Sequence, residues 1–398
     1  MALEPQQQVL LYGFLAAVIL GAVAHKTNFC TMGAVSDWIN MGKKGRLWAW
    51  FTAIAVALAG VLLLEGLGVA SVDSTLPPYR TANFAWLRYI LGGVMFGIGM
   101  TLAGGCGNKT LLNIGGGNLK SLFVLGVAGL FAYLMTKTDF YAVLFHGWVS
   151  ATSVNLADYG ISSQAISDIL GGSRDGLLHY AIGTALVLGI LVMALRDKSF
   201  RSNWNHSLGG ATVGLVVLAG WYITGGPLGQ AAIEAVEWLD EKPVGVAVQS
   251  YTFINPMGES LYYLMSPGDL LRISFGVAAL AGVILGSLLY AVSTGRFKLV
   301  WFKSRSDFIN HLAGAVLMGI GGVLAMGCTI GQGISGTSTL ALGSFLALGS
   351  IIFGSVLTMK LQYYRMMYDE EASFGASLLS VLADMHLLPS RMRRLDPP

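Results

Sequence analysis

The chain has 398 residues, of which 54% are hydrophobic and 11% are charged, and its net charge is +3. Soluble domains carry about 25% charged residues, so this composition excludes a soluble globular protein and predicts a multi-pass membrane protein. The small net charge gives no indication of a nucleic-acid partner.

Charge-free apolar windows predict nine membrane-spanning helices, because a spanning helix needs about 20 apolar residues. The windows cover residues 9–24, 47–64, 89–105, 121–136, 176–195, 208–224, 273–295, 312–325 and 340–359. The last two lie in one run of 48 uncharged residues, 312–359, which is too long for one helix. Its glycine-rich middle, GCTIGQGISGTST, is predicted to dip into the membrane. The predicted fold is an all-α polytopic membrane protein with re-entrant half-helices.

Basic residues divide the connecting segments into two sets. The segments at 43–46, 120, 196–201, 296–305 and 360–394 hold 16 of the 24 basic residues. The segments at 65–88, 137–175 and 234–272 hold 6 basic residues against 12 acidic ones. Because cytoplasmic loops carry an excess of lysine and arginine, the first set is predicted to be cytoplasmic. The N-terminus is then periplasmic and the C-terminus cytoplasmic.

An internal repeat relates the two halves of the chain. The motif GGVMFGIGMTLAGGC at 92–106 aligns with GAVLMGIGGVLAMGC at 314–328, with nine of fifteen positions identical. A fainter match joins FCTMG at 29–33 to INPMG at 254–258, where Asn255 replaces the cysteine. Five spans separate the copies, which predicts an inverted-topology repeat. One transport domain, residues 1–359, then contains repeat one at 9–136, a linker span at 176–195 and repeat two at 208–359, followed by a tail at 360–398.

Three cysteines lie within or beside these apolar runs, without the spacing of a disulfide framework or a zinc site. Glycines and polar residues follow Cys106 and Cys328, which predicts half-helices whose positive N-termini bind an anion. A neutral thiol contacts a soft atom such as sulfur without holding it tightly. The pattern therefore predicts a path for a small sulfur anion, with no catalytic residue, metal ligand or cofactor. The predicted binding residues are Cys30, Cys106, Cys328, Gly105, Gly107, Asn108, Lys109, Gly327, Thr329 and Gly331.

The motifs NFCTMGAVSDW, LAGGCGNKT and AMGCTIGQGISG resemble the three cysteine motifs of the YeeE/YedE family of membrane proteins. The resemblance covers about residues 10–359. It implies an hourglass-shaped inner-membrane protein of nine spans that takes up thiosulfate. It also implies that thiosulfate passes along the three thiols through S–H···S contacts, with Cys30 outermost. Compared with compact members, this chain has longer segments at 137–175 and 229–270 and a longer tail.

Two other functions stay open. A membrane sulfur-transfer or thiol–disulfide protein would use the cysteines covalently, but it would need a low thiol pKa and usually a resolving cysteine, and no C-x-x-C is present. A transporter of another sulfur species, a selenium species or copper(I) is the second alternative, although the 16 methionines form no ligand array. The predicted spans offer no carboxylate as a proton relay, which favours uncoupled passage.

Three further features have structural and functional interpretations. Lys109 has two interpretations of equal weight: it attracts the anion, or it makes a structural pair. Gly92, Gly97 and Gly99 are predicted to let helices pack closely. The tail, with the stretches MMYDEEASF, GASLLSVLADMHLL and SRMRRLDPP, is predicted to have a local structural role, on the inner leaflet for instance, with docking of a soluble sulfur-carrier protein as the second hypothesis.

Overall fold

The computed structural model describes residues 4–174, 176–368 and 373–395. Within these residues the long helices are α1 Pro5–Thr27, α3 Gly45–Gly66, α4 Trp86–Leu102, α6 Leu119–Lys137, α9 Leu177–Arg196, α11 Trp204–Gly225, α14 Phe275–Ser293, α15 Arg305–Leu324 and α16 Leu342–Tyr368. The shorter helices are α2 Thr31–Met41, α5 Gly107–Gly115, α7 Gly147–Thr152, α8 Ile166–Ile169, α10 Lys198–Arg201, α12 Pro227–Glu237, α13 Ile254–Leu264 and α17 Phe374–Asp384.

Other regular structure is confined to short segments. Two-residue strands β1 Asn83–Phe84 and β2 Val154–Asn155 pair antiparallel. Single turns of π- or 3-10 helix lie at Ala142–His146, Leu156–Tyr159, Leu270–Arg272, Gly331–Gly336, Thr337–Thr339 and Ser390–Met392.

The predicted fold class is confirmed. Nine helical stretches of the described chain are long and apolar enough to cross a membrane, and each coincides with one predicted window. The largest difference is at the C-terminal end, where α16 continues through Lys360 and Arg365 to Tyr368. The predicted window ends before Lys360 because it was defined by the absence of charge. The helix continues past this residue because long basic side chains at a helix end extend their charged groups to water while their stems stay in apolar surroundings.

The two copies of the repeated motif leave their helices in the same way. The residue two positions before each cysteine, Gly104 or Met326, has a left-handed backbone with φ of 70° or 57°. In each copy the following glycine donates its N–H to the carbonyl five residues back, at 2.9 Å and 2.8 Å. This is a Schellman-type helix stop, and it releases the chain immediately before Cys106 and Cys328. For a methionine the left-handed conformation costs about 1 kcal/mol.

Helices α4 and α15 cross antiparallel at their glycines. A Cβ added to Gly92 would lie 2.4 Å from the backbone nitrogen of Ala325, and one added to Gly314 would lie 2.6 Å from that of Ala103. These two contacts join equivalent positions of the two motif copies, as a two-fold relation between the copies would require. The inverted repeat and the division of the domain into repeats and a linker remain predictions.

The glycine-rich segment after α15 is buried inside the protein. Every residue from 327 to 341 is buried. Side chains from distant segments bond its irregular backbone: Tyr79 donates its hydroxyl to the carbonyl of Gly331 at 2.9 Å, and Arg80 Nε donates to the carbonyl of Thr339 at 2.9 Å. Backbone of this kind is stable at membrane depth only where protein surrounds it.

Arg80 brings a buried positive charge to this segment. Its side chain is 3% exposed, and its Nη1 lies 2.5 Å from Glu65 Oε1 and 2.9 Å from Asp73 Oδ1. Burial by itself lowers the pKa of Arg80, but the two carboxylates outweigh burial and raise it. Arg80 is therefore a compensated structural cation, and it joins the segment at 65–85 to the buried turn at Thr339.

The tail folds back onto α16. Helix α17 packs against α16, and Asp384 near its end accepts a hydrogen bond from the Tyr364 hydroxyl at 2.6 Å and pairs with Arg393. Residues 369–372 of the predicted acidic patch and residues 396–398 lie outside the described residues. These contacts give α17 a local structural contact with α16, while placement on the inner leaflet and docking of a sulfur-carrier protein remain predictions.

The crossing of α4 and α15 gives a first testable prediction. Gly92, Gly97 and Gly99 all face the backbone of α15 or α16 at distances too short for a side chain. We expect Gly92→Ala to lower the free energy of unfolding by about 1–3 kcal/mol, because the added methyl group overpacks the crossing. Thermal unfolding of the purified protein in detergent measures this.

Gly349 provides the matched control. It lies on α16 with no atom within 4 Å of the position of an added Cβ. Gly349→Ala should leave the melting temperature unchanged or raise it slightly, since alanine is the better helix former by about 1 kcal/mol. Equal melting temperatures for both variants would contradict the tight crossing.

Candidate functional site

Each of the three cysteines stands at the start of a short helical segment. Cys30 is the N-cap of α2, and its sulfur accepts a hydrogen bond from the Gly33 N–H at 3.5 Å. Cys106 is the N-cap of α5 and makes no such side-chain cap. Cys328 precedes the π-helical turn, and its sulfur accepts from the Gly331 N–H at 3.5 Å. The sulfurs thus lie at helix starts, where backbone N–H groups carry partial positive charge.

The fold brings the three thiols together. Cys106 faces Cys30 closely enough for the two thiols to interact, its side chain also adjoins Thr329, and Cys328 acts on it electrostatically. All three cysteines are free, and they are 5%, 1% and 0% exposed in chain order. The sequence predicted each of them separately, and in the structure Cys106 interacts with both of the others; the three thiols are called the row of thiols below.

The order of the thiols bears on the expectation that Cys30 is outermost. Cys328 neighbours Tyr79, which belongs to the segment predicted to be outside. Cys30 instead neighbours Lys109, on the side that also carries Arg296, a residue of a segment predicted to be cytoplasmic. In the predicted orientation Cys328 is therefore the outermost thiol and Cys30 the innermost. The predicted orientation and the expectation that Cys30 is outermost are therefore not compatible with each other, because α1 crosses to the opposite side before the chain turns at Asn28; both remain predictions.

Unpartnered polar atoms follow each thiol. Both side-chain atoms of Asn108 and the hydroxyls of Thr31 and Thr329 are buried without a hydrogen-bond partner among the described residues. Asn108 is 1% exposed and Thr329 is 0% exposed. Buried polar groups in native proteins are nearly always hydrogen-bonded, so such a cluster requires an explanation. A polar guest at the thiols would provide the missing partners.

The corresponding part of the second half contains two more unpartnered atoms. Thr252 Oγ1 and Asn255 Oδ1, at the start of α13, are also buried without a partner among the described residues. A Cβ added to Gly331 would lie 2.4 Å from Thr252 Oγ1, so this hydroxyl adjoins the segment after Cys328. The sequence indicated Asn255 only as the counterpart of a cysteine, and it gave no signal for Thr252 or Thr31.

The four predicted glycines allow close approaches around the thiols. A Cβ on Gly105 would lie 2.9 Å from the Lys109 side chain, and one on Gly327 would lie 3.1 Å from the backbone nitrogen of Gln332. Gly107 has more space, with Ile254 at 3.5 Å. Together with Gly331 beside Thr252, they keep the row of thiols compact.

Lys109 lies at the Cys30 end of the row and not between the thiols. Its Nζ donates to the Asn28 side-chain oxygen at 2.7 Å, a contact at the exposed end of the site. The neighbouring Asn28 has φ of 52° and ends α1. The geometry thus supplies a structural contact for Lys109 and also keeps its charge close to Cys30.

The site is closed in this structure, because the three cysteine side chains have almost no exposed surface. Among the described residues no group of three or more histidine, cysteine or acidic side chains is arranged to hold a metal ion. The arrangement offers thiols, hydroxyls, amides and backbone N–H groups. Such a set contacts a small anion through dipoles without a fixed countercharge.

Fold and site together define a multi-pass α-helical membrane protein with three buried thiols among buried polar groups. The family model described as "Sulphur transport" matches residues 26–357, and the chain belongs to this family. The resemblance to the YeeE/YedE family, first seen in the three cysteine motifs, is thereby confirmed.

Two relatives are similar to the chain over most of its length. The thiosulfate transporter TsuA of Escherichia coli (strain K12) is 25% identical over 374 residues, which cover 90% of this chain and 96% of the relative. The thiosulfate transporter TsuA of Spirochaeta thermophila is 28% identical over 352 residues, which cover 86% of this chain and 96% of the relative.

The unpartnered amide gives a second prediction. Leucine has nearly the shape of asparagine, so Asn108→Leu removes polar atoms whose burial without a partner costs about 1–3 kcal/mol. We expect this variant to have a higher melting temperature than the parent in substrate-free buffer.

Thr110→Val is the matched control on the same helix. Thr110 is 2% exposed and its hydroxyl donates to the Cys106 carbonyl at 3.1 Å, so the substitution removes a satisfied hydrogen bond. Its melting temperature should fall. A similar fall for Asn108→Leu would show that the amide is hydrogen-bonded in the substrate-free protein.

Proposed function

We propose that the protein carries thiosulfate across the bacterial inner membrane into the cytoplasm. The observation that supports this most directly is the row of three buried thiols surrounded by unpartnered polar atoms. Thiosulfate has a soft terminal sulfur and a set of hard oxygens. The sulfur matches the thiols through S–H···S contacts, and the oxygens match the hydroxyls, the amide and the N–H groups at the helix starts.

The absence of a fixed charge among the three thiols suits passage better than storage. A binding site on a transport path must attract its ion and also release it. Lys109 and Arg80 flank the row of thiols, but Lys109 contacts Asn28 and Arg80 is compensated by two carboxylates. The anion is thus held in the middle by dipoles and moves from Cys328 through Cys106 to Cys30.

The direction of transport follows from the predicted orientation, with a periplasmic N-terminus and a cytoplasmic C-terminus. The names of the two relatives support thiosulfate as the substrate. We do not assign an enzymatic activity. A covalent sulfur-transfer protein is the alternative, and it predicts a persulfide or mixed adduct on a cysteine.

The third prediction concerns uptake. We expect Cys106→Ala to reduce uptake of radiolabelled thiosulfate into proteoliposomes by at least about tenfold, because this thiol interacts with both other thiols and its loss interrupts the row. Unlabelled sulfate and sulfite in excess test the selectivity for the soft sulfur. Mass spectrometry of the substrate-treated parent should show unmodified thiols.

Thr358→Val serves as the control variant. Thr358 is buried in α16, and its hydroxyl bonds only the Gly354 carbonyl of its own helix. This variant should transport thiosulfate at the parent rate. Full uptake by Cys106→Ala would refute the thiol path, and a stable adduct that forms and decays with turnover would favour covalent transfer.

A further inference from the structure

A second polar cavity lies around the start of α4. It has a volume of about 530 Å³ and is bordered by α4, β2 and the helical segment at 142–152. Its polar lining consists of Asn83, Arg88, His146, Ser150, Ser153 and Asn155. The lining contains no carboxylate, although acidic residues outnumber basic ones two to one on this side of the protein.

Arg88 differs from the other arginines of the segments predicted to be outside. Arg80 pairs with Glu65 and Asp73, Arg174 pairs with Asp73, and Arg272 pairs with Asp269. For Arg88, no carboxylate of the described residues lies within ion-pair distance.

The guanidinium of Arg88 contacts only neutral groups. Its Nε donates to the Leu324 carbonyl at 2.6 Å and its Nη2 to the Val323 carbonyl at 3.0 Å, while the Tyr141 ring lies 5.4 Å from its central carbon. A half-buried charge without a counterion is unfavourable, and a guanidinium is suited to bind the oxygens of an oxyanion. Its third nitrogen, Nη1, donates to no described residue, so this nitrogen is left for a ligand.

We propose that Arg88 and this cavity form an oxyanion-binding site that captures the transported anion before it reaches the thiols. The hydroxyl of Ser150 and the amide of Asn83 supply the neutral donors that complete such a site, while the amide of Asn155 already donates to Asp158 at 3.0 Å. The inference depends on the proposed function for the identity of the anion.

The position of Arg88 connects this site to the outermost thiol. Leu324, which accepts from Arg88, is the last residue of α15, and the chain turns there toward Cys328. The arginine thus compensates the negative C-terminal end of α15 and holds the anion at the same time. A phospholipid headgroup offers the same chemistry, since Val143 and Leu144 beside the cavity are 78% and 51% exposed.

A charge placed inside the cavity tests the site without removing Arg88. Ser150→Glu gives the guanidinium an internal carboxylate, which should displace the anion and raise the thiosulfate concentration for half-maximal uptake about tenfold. Ala151→Glu adds the same charge at the next residue, which is exposed and does not line the cavity, and should leave this concentration unchanged. Arg88→Gln should raise it as Ser150→Glu does.

Direct binding separates the two sources of the oxyanion. Thiosulfate is titrated calorimetrically into the Cys106→Ala protein in maltoside detergent, which contains no phosphate. Binding that Ser150→Glu removes supports the capture site. Retained binding in that variant, or displacement of thiosulfate by a short-chain phospholipid, would overturn it. Absence of thiosulfate uptake by the parent would instead refute the proposed function, and parental half-maximal concentrations in both variants would refute this inference alone.

Discussion

The structure depends on one constraint: irregular backbone in the interior of a membrane protein must find its hydrogen-bond partners within the protein. In the segment at 327–341, side chains from distant parts of the chain provide these hydrogen-bond partners. Tyr79, Arg80 and Ser335 each join this segment to another one through a carbonyl group. A single missing partner of this kind leaves a buried polar group that costs several kcal/mol in lipid. The segment at 65–85 is therefore part of the interior architecture and not a simple connection.

The same constraint makes buried polar atoms without a hydrogen-bond partner informative. In the buried turn Gln332 Nε2 donates to the Ala325 carbonyl at 2.6 Å, while Gln332 Oε1 has no partner among the described residues. Of the buried side-chain atoms without a partner among the described residues, those of Thr31, Asn108 and Thr329 each belong to the residue one or two positions after a cysteine, while others, such as Ser377 Oγ and Arg393 Nε, lie elsewhere. Nothing in the packing of apolar side chains requires the first three to follow the cysteines. The anion proposed above would supply partners for the atoms that follow the cysteines.

The sequence predicted the features that local chemistry determines. Charge-free windows predicted the nine long helices, since the cost of a charge in lipid acts residue by residue. The repeated motif predicted that the chain breaks before a new helical segment at Cys106 and at Cys328. This was possible because the helix stops at Gly104 and Met326 are formed by residues that are close together in the sequence. What the sequence could not provide were long-range relations. The partners of Arg80, the free hydroxyl of Thr252 and the order of the thiols all depend on which segments meet in space.

The two proposed sites interact with the anion through different electrostatic groups. At the outer cavity a full positive charge is available near water, where screening by solvent and salt keeps the attraction moderate and release easy. The same charge between the buried thiols would act in a low dielectric and hold the anion too strongly to let it pass. In the proposed arrangement Arg88 attracts the anion at the cavity, while only dipoles contact it at the row of thiols, so that it is attracted and can still be released. In this proposal the anion leaves the charged Arg88 and contacts the soft thiols at the turn between Leu324 and Cys328.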